Sequence, residues 1–325
     1  MRYRGLGNGP LVVSEISFGT WLTVAGGVER ERAIACVQAA LELGITLFDT
    51  ANQYGAGEAE RVLGVGLRSS GVSRDKYLIA TKVFNPVGDE PDKGLSAAQI
   101  VKQLDRSLGR LGVDYIDLYQ CHRYDKETPL DETLEALDRA VRSGRVRAIG
   151  LSEWPAEKIV AAAESTTAHG WTAMTSSQPQ YSMLWRKPEA AVFAACREFG
   201  LGNIVYSPLA QGVLTGKYKP GQPPPEGSRA ADPAMNVTME TNGRRFRSDF
   251  LLEAVDRLNP IAAELGLTMT QMALAWVLRR PEVASAIVGA SRPEQLAASV
   301  AASGVTLPEE SLARIDAVLE GVVLR

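Results

Sequence analysis

Asp49, Tyr54, Lys82 and His122 are residue types that together can protonate an oxygen while a reductant attacks the carbon beside it. Tyrosine alone is a poor acid near neutral pH, because its unperturbed pKa is about 10. A neighbouring ammonium stabilises the phenolate and lowers that value, and a carboxylate keeps such a lysine charged and in place. A histidine can hydrogen-bond the substrate oxygen. The set therefore reads as a carbonyl-reducing site, with hydride delivered to carbon and a proton to oxygen. Taken singly, each residue has a plainer reading: Asp49 caps a helix, Tyr54 is a half-buried aromatic, Lys82 ends a strand and His122 is a satisfied surface histidine. Lys82 resists that account most. The run before it, from Tyr77 to Thr81, is mostly apolar, and an unpaired buried lysine is costly. It needs a carboxylate, and Asp49 is the natural candidate.

The elements that must position these residues alternate in type. Residues 2–13 alternate in polarity and turn at Gly7-Asn8-Gly9-Pro10, which predicts a small hairpin before the fold proper. Ile45 to Phe48 is β-branched and aromatic, ends in Asp49 and is bounded by Gly44, Gly55 and Gly57, as expected for a buried strand opening into a turn. Strands are expected at Ile16-Ser17-Phe18-Gly19, Thr46 to Phe48, Tyr77 to Lys82, Tyr115 to Tyr119, Val146 to Leu151, Ala173 to Ser176, Asn203 to Tyr206 and Ala286 to Val288. Helices fill the intervals: Arg30 to Leu43, Glu58 to Leu67, Ser96 to Leu111, Asp131 to Arg142, one opened by Pro155 at its first position, and Pro188 to Phe199. Further helices follow at Leu251 to Leu265, Thr270 to Arg280, from Pro293 and from Glu309.

About eight strand–helix units without a composition break imply a parallel sheet with helices outside, closed as a single (β/α)8 TIM barrel. The chain reads as one domain over residues 1–325, an α/β protein with an N-terminal β-hairpin and a long loop after the seventh strand. That Pro/Gly-rich loop, from Ser207 to about Phe250, is too long for an ordinary connection and has the length of a functional lid. No GxGxxG follows the first strand, so the dinucleotide fingerprint of an open doubly wound sheet is missing. In a barrel the strand ends converge on one rim. Asp49 ends the second strand and Lys82 the third, Cys121-His122 follows the fourth, Ser152 ends the fifth, Gln178 follows the sixth and Tyr206-Ser207 ends the seventh.

At 325 residues, 45% hydrophobic and 22% charged, the composition is that of a globular protein with a sizeable core. A net charge of −3 gives no electrostatic case for nucleic acid or an anionic membrane. Three cysteines without CxxC spacing fit a reducing, cytoplasmic compartment, and two histidines leave no basis for a multi-histidine metal site. No metal is expected, and no stretch has the length and apolarity of a membrane span.

The strand-end set, taken with two longer motifs, resembles the aldo-keto reductases over nearly the whole chain. Gly44-Ile45-Thr46-Leu47-Phe48-Asp49-Thr50-Ala51-Asn52-Gln53-Tyr54 looks like the family's first signature, and Ser143-Gly144-Arg145-Val146-Arg147-Ala148-Ile149-Gly150-Leu151-Ser152 like its second. Lys82 and His122 fall where the family's lysine and histidine stand. Gly19-Thr20-Trp21, Gly94-Leu95-Ser96 and the run from Ser207 to Tyr218 resemble the branch that includes potassium-channel β subunits and many bacterial reductases. The resemblance implies NADPH/NADP+ across the barrel mouth, beneath a cofactor-covering loop. It places Thr20 and Trp21 beside the nicotinamide, Ser152 and Gln178 on its carboxamide, and Tyr206 under its ring. The pyrophosphate falls to Ser207, Leu209, Gln211, Gly212 and Lys217, helped by Arg229. Gly289, Ser291, Arg292, Gln295 and Ser299 surround the adenosine phosphate. Three departures stand out. Glu153 occupies the place of the usual asparagine, Val288-Gly289-Ala290 replaces Pro-Lys-Ser at the 2′-phosphate, and Ala298-Ser299 replaces Glu-Asn.

The implied activity is NADPH-dependent reduction of an aldehyde or ketone, a small-molecule carbonyl substrate. The alternatives are an NADPH-binding regulatory subunit of a protein partner and a nucleotide-sugar keto-reductase. A homo-oligomer is compatible with the resemblance. Trp21, Phe84, Trp154, Tyr181 and Trp185 are the expected pocket walls. His169 is expected at the opposite rim, Cys121 as packing, and Arg244-Arg245 as solvated charge rather than a substrate clamp.

Overall fold

The computed structural model describes residues 1–21, 27–88, 92–240 and 246–325. Arg244 and Arg245 lie outside the described residues. The strands are β1 (Tyr3–Gly5), β2 (Val12–Ser14), β3 (Ile16–Gly19), β4 (Leu47–Asp49), β5 (Leu78–Val83), β6 (Ile116–Cys121), β7 (Val146–Ser152), β8 (Ser176–Gln178), β9 (Gly202–Val205) and β10 (Val283–Val288). The last eight pair parallel, each with its neighbour in sequence, and β10 returns to β3 to close the barrel. This is the (β/α)8 fold, with the expected antiparallel hairpin β1–β2 ahead of it.

Side chains alternate across each strand, as a period of two requires. Phe48, Ile79, Tyr119, Ile149 and Leu151 point outward into the large core beneath the helices. Leu47, Ala80, Leu118, Ala148 and Ile204 point inward and form a separate apolar layer. Leu6, Leu11 and Val13 of the hairpin complete that layer, so the hairpin plugs the N-terminal end of the barrel. One step further along the strands the inward side chains turn polar: Asp49, Lys82, Gln120, Ser152 and Gln178. Strand register sets these abreast, with Lys82 opposite Gln120 and Ser152 opposite Gln178. An apolar floor below a polar layer is what a barrel needs to keep its chemistry at the C-terminal mouth.

Four expected boundaries move, each for a local reason. The sixth barrel strand is β8 (Ser176–Gln178) rather than Ala173 to Ser176, because its polar side chains line the lumen and find partners there. Pro155 precedes the helix Ala156–His169 instead of occupying its first turn. The helix expected from Leu251 to Leu265 is two, Asp249–Asp256 and Asn259–Glu264, since Pro260 has no N–H to continue the first. Likewise the stretch after Pro188 is a short turn, Lys187–Glu189, followed by the helix Val192–Glu198. The long segment after β9 carries short turns at Ala210–Thr215 and Arg229–Ala231 and a helical turn at Pro233–Asn236. Among the described residues no single helix is long and apolar enough to cross a membrane.

Because the plug fills the lumen floor, Leu6→Ala, at a fully buried site, should cost about 2–5 kcal/mol. Urea unfolding at constant pH measures it, and a loss under 1 kcal/mol would mean the barrel is closed without the hairpin.

Candidate active site

Asp49 ends β4, and the adjacent strand β5 brings Lys82 alongside it. The Lys82 ammonium donates to Asp49 Oδ2 at 2.6 Å and to the Thr50 carbonyl at 2.8 Å. Both side chains are buried, Lys82 completely. The second carboxylate oxygen, Oδ1, accepts from Gln178 Nε2 at 2.9 Å and, more weakly, from Gln120 Nε2 at 3.5 Å. Gln178 also donates to Gln120 Oε1 at 3.4 Å, and Ser152 Oγ donates to the Gln178 carbonyl at 3.0 Å. A buried ion pair is tolerable only when its remaining lone pairs are engaged in this way.

Tyr54 follows β4 in a tight turn, Tyr54–Gly57, whose Gly55, Ala56 and Gly57 all have left-handed backbone. The turn is anchored to the ion pair, since the Asn52 N–H donates to the Lys82 carbonyl at 3.2 Å. The half-buried Tyr54 ring then lies between two neighbours. Lys82 Nζ is 5.2 Å from its centroid, and the His122 ring meets it edge-on at 5.7 Å. His122 is fixed from below by its backbone N–H, which donates to the Val83 carbonyl at 2.8 Å. Its Nδ1 is buried and has no hydrogen-bond partner among the described residues. Four residues distant in sequence are thus brought to one rim.

The electrostatics differ from the expectation in one respect. Burial, reinforced by the Asp49 carboxylate, pushes the Tyr54 phenol up rather than down. Burial also lowers the Lys82 value, against the opposing pull of Asp49. Burial and the nearby Lys82 and Arg123 cations hold the His122 imidazole well below its ordinary range. Tyr54 is therefore a neutral phenol at rest and His122 a neutral imidazole that can donate from one nitrogen and accept at the other.

A model of the Aldo/keto reductase family matches residues 15–320. The chain belongs to that family. It is 36% identical over 323 residues to a probable voltage-gated potassium channel subunit beta of Oryza sativa, covering 98% of this chain and 97% of that one. It is 37% identical over 325 residues to an L-glyceraldehyde 3-phosphate reductase of Escherichia coli, covering 97% and 92%. A putative channel subunit beta of Schizosaccharomyces pombe is also 37% identical, over 323 residues and 98% and 93% of the two chains.

The residues expected to hold an aldo-keto reductase cofactor form two groups in space. In the first, Thr20 Oγ1 donates to Thr50 Oγ1 at 2.9 Å, which sets Trp21 beside the mouth. The Arg229 guanidinium lies 5.0 Å above the Trp21 ring. Tyr206 packs on the lumen layer. Ser207, Ala210, Gln211 and Gly212 all adopt positive φ, from 46° to 95°. Successive turns of this kind can form an anion-binding concavity; within it the Ala210 and Gly212 N–H groups donate to the Ser207 and Leu209 carbonyls, each at 2.9 Å. Lys217 covers it, for a Cβ on Gly212 would come within 3.1 Å of the lysine side chain. Gln211 ties the loop down through Thr238, donating to its carbonyl at 3.1 Å and accepting from its hydroxyl at 2.9 Å. The donor set and the cradle fit a pyrophosphate.

The second group follows β10 and the exposed Gly289. Gln295 Oε1 accepts from the Ser291 N–H at 2.8 Å, and Ser299 Oγ donates to the Gln295 carbonyl at 3.1 Å. Arg292 is exposed and has no ion-pair partner among the described residues, so its guanidinium is available.

Three expected pocket walls are sealed instead. Tyr181 is fully buried against Phe193 and Trp276 and donates its hydroxyl to Glu189 at 2.5 Å. Trp185 is covered by the bridge to Leu324 near the C-terminus. Trp154 is buried edge-on to Tyr124. Trp21 and Phe84 remain partly accessible. His169 stacks on Trp171 at 4.2 Å, away from the site. Two contributors were missed, Gln120 and Thr50. The signal for Gln120 was present, because alternation from Leu118 places Gln120 and His122 on the same inward face.

A depressed His122 value makes stability depend on pH. Below about 6.5 the unfolded chain binds a proton that the folded chain refuses, so stability falls as pH drops through that value towards the folded pKa. Between pH 7.5 and 5.5 this contributes about 1.4 kcal/mol of loss. Urea unfolding at both pH values should show that His122→Asn loses less stability than the wild type by about this amount. Equal losses would place His122 in a solvated environment.

Proposed function

We propose that residues 1–325 form a single aldo-keto reductase domain that uses NADPH to reduce an aldehyde or ketone to an alcohol. The observation that carries this reading is the buried Lys82–Asp49 pair with the Tyr54 ring held between Lys82 and His122 at the barrel mouth. Tyr54 gives its proton to the carbonyl oxygen. Burial keeps the phenol protonated until then, as an acid must be. Once the proton leaves, the Lys82 ammonium is the nearby cation that stabilises the phenolate. Neutral His122 donates a hydrogen bond to the same oxygen, and Asp49 holds Lys82 in position. When bound, the reduced nicotinamide supplies the hydride. Ser152, Gln178, Trp21, Thr20 and Tyr206 would hold the nicotinamide half, Ser207 to Gly212 with Lys217 and Arg229 the pyrophosphate, and Gly289, Ser291, Arg292, Gln295 and Ser299 the adenosine phosphate.

The relative named for L-glyceraldehyde 3-phosphate reduction makes a small phosphorylated aldehyde the first substrate to test. Relatives named as channel β subunits support a second reading, an NADPH-binding regulatory subunit of a protein partner. The complete set of Asp49, Tyr54, Lys82 and His122 favours turnover. Three buried free cysteines fit a reducing cytoplasm.

A screen of NADPH and NADH oxidation against aldehydes, ketones and keto-sugars tests the activity directly. Tyr54→Phe should lower kcat by about 10²-fold or more while leaving cofactor affinity nearly intact. Turnover close to wild type would remove Tyr54 from the acid role. Arg292→Ala should weaken NADPH about tenfold and leave NADH unchanged, since a charged hydrogen bond to the 2′-phosphate is worth roughly 1.5–3 kcal/mol. Tryptophan fluorescence titration separates the two cofactors, and an equal loss for both would make Arg292 structural.

A further inference from the structure

On the outside of the barrel, the helices Arg30–Glu42, Glu58–Ser69 and Ala97–Leu111 border a cavity of about 710 Å³ lined by Arg30, Arg61, Arg68, Arg106 and Arg110. We infer that this cavity is a second anion-binding site, one that takes a small phosphate-bearing molecule. It goes beyond the reductase reading and does not depend on it.

The alternative is a solvated charged face, and the charge pattern argues against it. On such a face arginines alternate with carboxylates. Here three of the five have carboxylate partners: Arg30 with Glu58 at 2.6 Å, Arg106 with Asp92 at 3.8 Å, and Arg110 with Glu60 at 2.5 Å. Arg68 donates to the backbone carbonyls of Leu111 and Gly112, which leaves its charge uncompensated. Arg61 is exposed and makes no ion pair or hydrogen bond among the described residues. Glu60 is saturated, accepting from Thr81 Oγ1 at 2.6 Å as well as from Arg110. Two guanidiniums with no carboxylate partner among the described residues therefore share a concave wall. A cleft lined by one sign of charge focuses field and concentrates counter-ions.

Local spacing aims the charges inward. Arg61 and Arg68 are seven residues apart, two turns along one helix face, and Arg106 and Arg110 are four apart on the facing helix. Between the latter pair Gly109 leaves open space where a side chain would begin. The volume falls within the roughly 300–1,000 Å³ of small-molecule sites. Arginine rather than lysine throughout favours paired hydrogen bonds to phosphate oxygens.

The cavity also touches the candidate active site from behind. Arg110 packs on Gly57, where a Cβ would sit 2.7 Å from its side chain, and Gly57 closes the turn that begins at Tyr54.

Titration calorimetry of the full chain with sodium tripolyphosphate at low salt tests the site in the wild type, Arg61→Ala, Arg61→Glu and Lys217→Ala. Arg61 is exposed and makes no ion pair among the described residues, so its variants should fold normally. The wild type should bind saturably, with affinity falling as salt rises. Arg61→Ala should bind about three- to tenfold more weakly at this site and Arg61→Glu more weakly still, while Lys217→Ala, which weakens only the anion cradle after β9, retains the saturable phase that Arg61→Glu loses. Absence of saturable binding would overturn the inference. Binding abolished in Lys217→Ala but unchanged in Arg61→Glu would do the same, because the probe would then sit in the loop after β9.

Discussion

The buried contact between Lys82 and Asp49 is the interaction on which the rest of this mouth depends. Removing two charges from water costs several kcal/mol each, and their attraction offsets that only when the leftover donors and acceptors are satisfied. Thr50, Gln178 and Gln120 satisfy them. Those three come from the loop after β4 and from β8 and β6, so one ion pair ties together β4, β5, β6 and β8 around the barrel. The Asn52 bond to the Lys82 carbonyl then sets where the following turn begins, and that turn carries Tyr54. Position of Tyr54 is a consequence of the pair.

Strain is concentrated at the same end. Ala56, Glu153, Ser207, Ala210 and Gln211 all hold left-handed backbone, which costs a non-glycine residue roughly 1–2 kcal/mol. Every one of them lies in a loop that follows a barrel strand. Glu153 is instructive, because it stands where the signature this chain resembles has asparagine. Asparagine tolerates φ near +56°, and a short side chain suffices there for local hydrogen bonding. Glutamate accepts the strain and recovers a bond, its carboxylate accepting from the Gln180 N–H at 2.7 Å. The opposite end contains the compensation. There the hairpin is packed into the lumen, and Glu15 bonds Arg4, Ser303 and Gly304 together. Stability is built at one mouth of the barrel and spent on geometry at the other.

Much of this was readable from the residues. The alternation of strand and helix predicted the closed barrel, and the acid, lysine and histidine at three strand ends predicted their meeting. What escaped had physical causes. Ser176-Ser177-Gln178 does not resemble a strand, because a strand facing a polar lumen loses the apolar run that signals burial. Tyr181 and Trp185 looked like pocket walls because sequence places them just past a strand end. Whether an aromatic there faces the pocket or the helices depends on packing with Phe193, Trp276 and Leu324, all far away in the chain. The break at Pro260 shows in the sequence only as a proline, and a proline at the first turn of a new helix and one inside an old helix look alike locally.

The direction of the Tyr54 shift is the other departure, and it follows from counting charges in the pocket. A lysine beside a phenol lowers its pKa only to the extent that the lysine's field is uncompensated. Here the Lys82 ammonium sits 2.6 Å from the Asp49 carboxylate, so its field at the ring is compensated, and burial, reinforced by that carboxylate, decides the sign. The same burial disfavours a charged His122. The mouth is thus arranged as one internally neutral ion pair beside two neutral groups that can each handle a proton. Such a site penalises any further isolated charge. A neutral carbonyl compound can enter without meeting that penalty. In the proposed reduction, the negative charge that develops on its oxygen would be met by a phenol and an imidazole that can each donate.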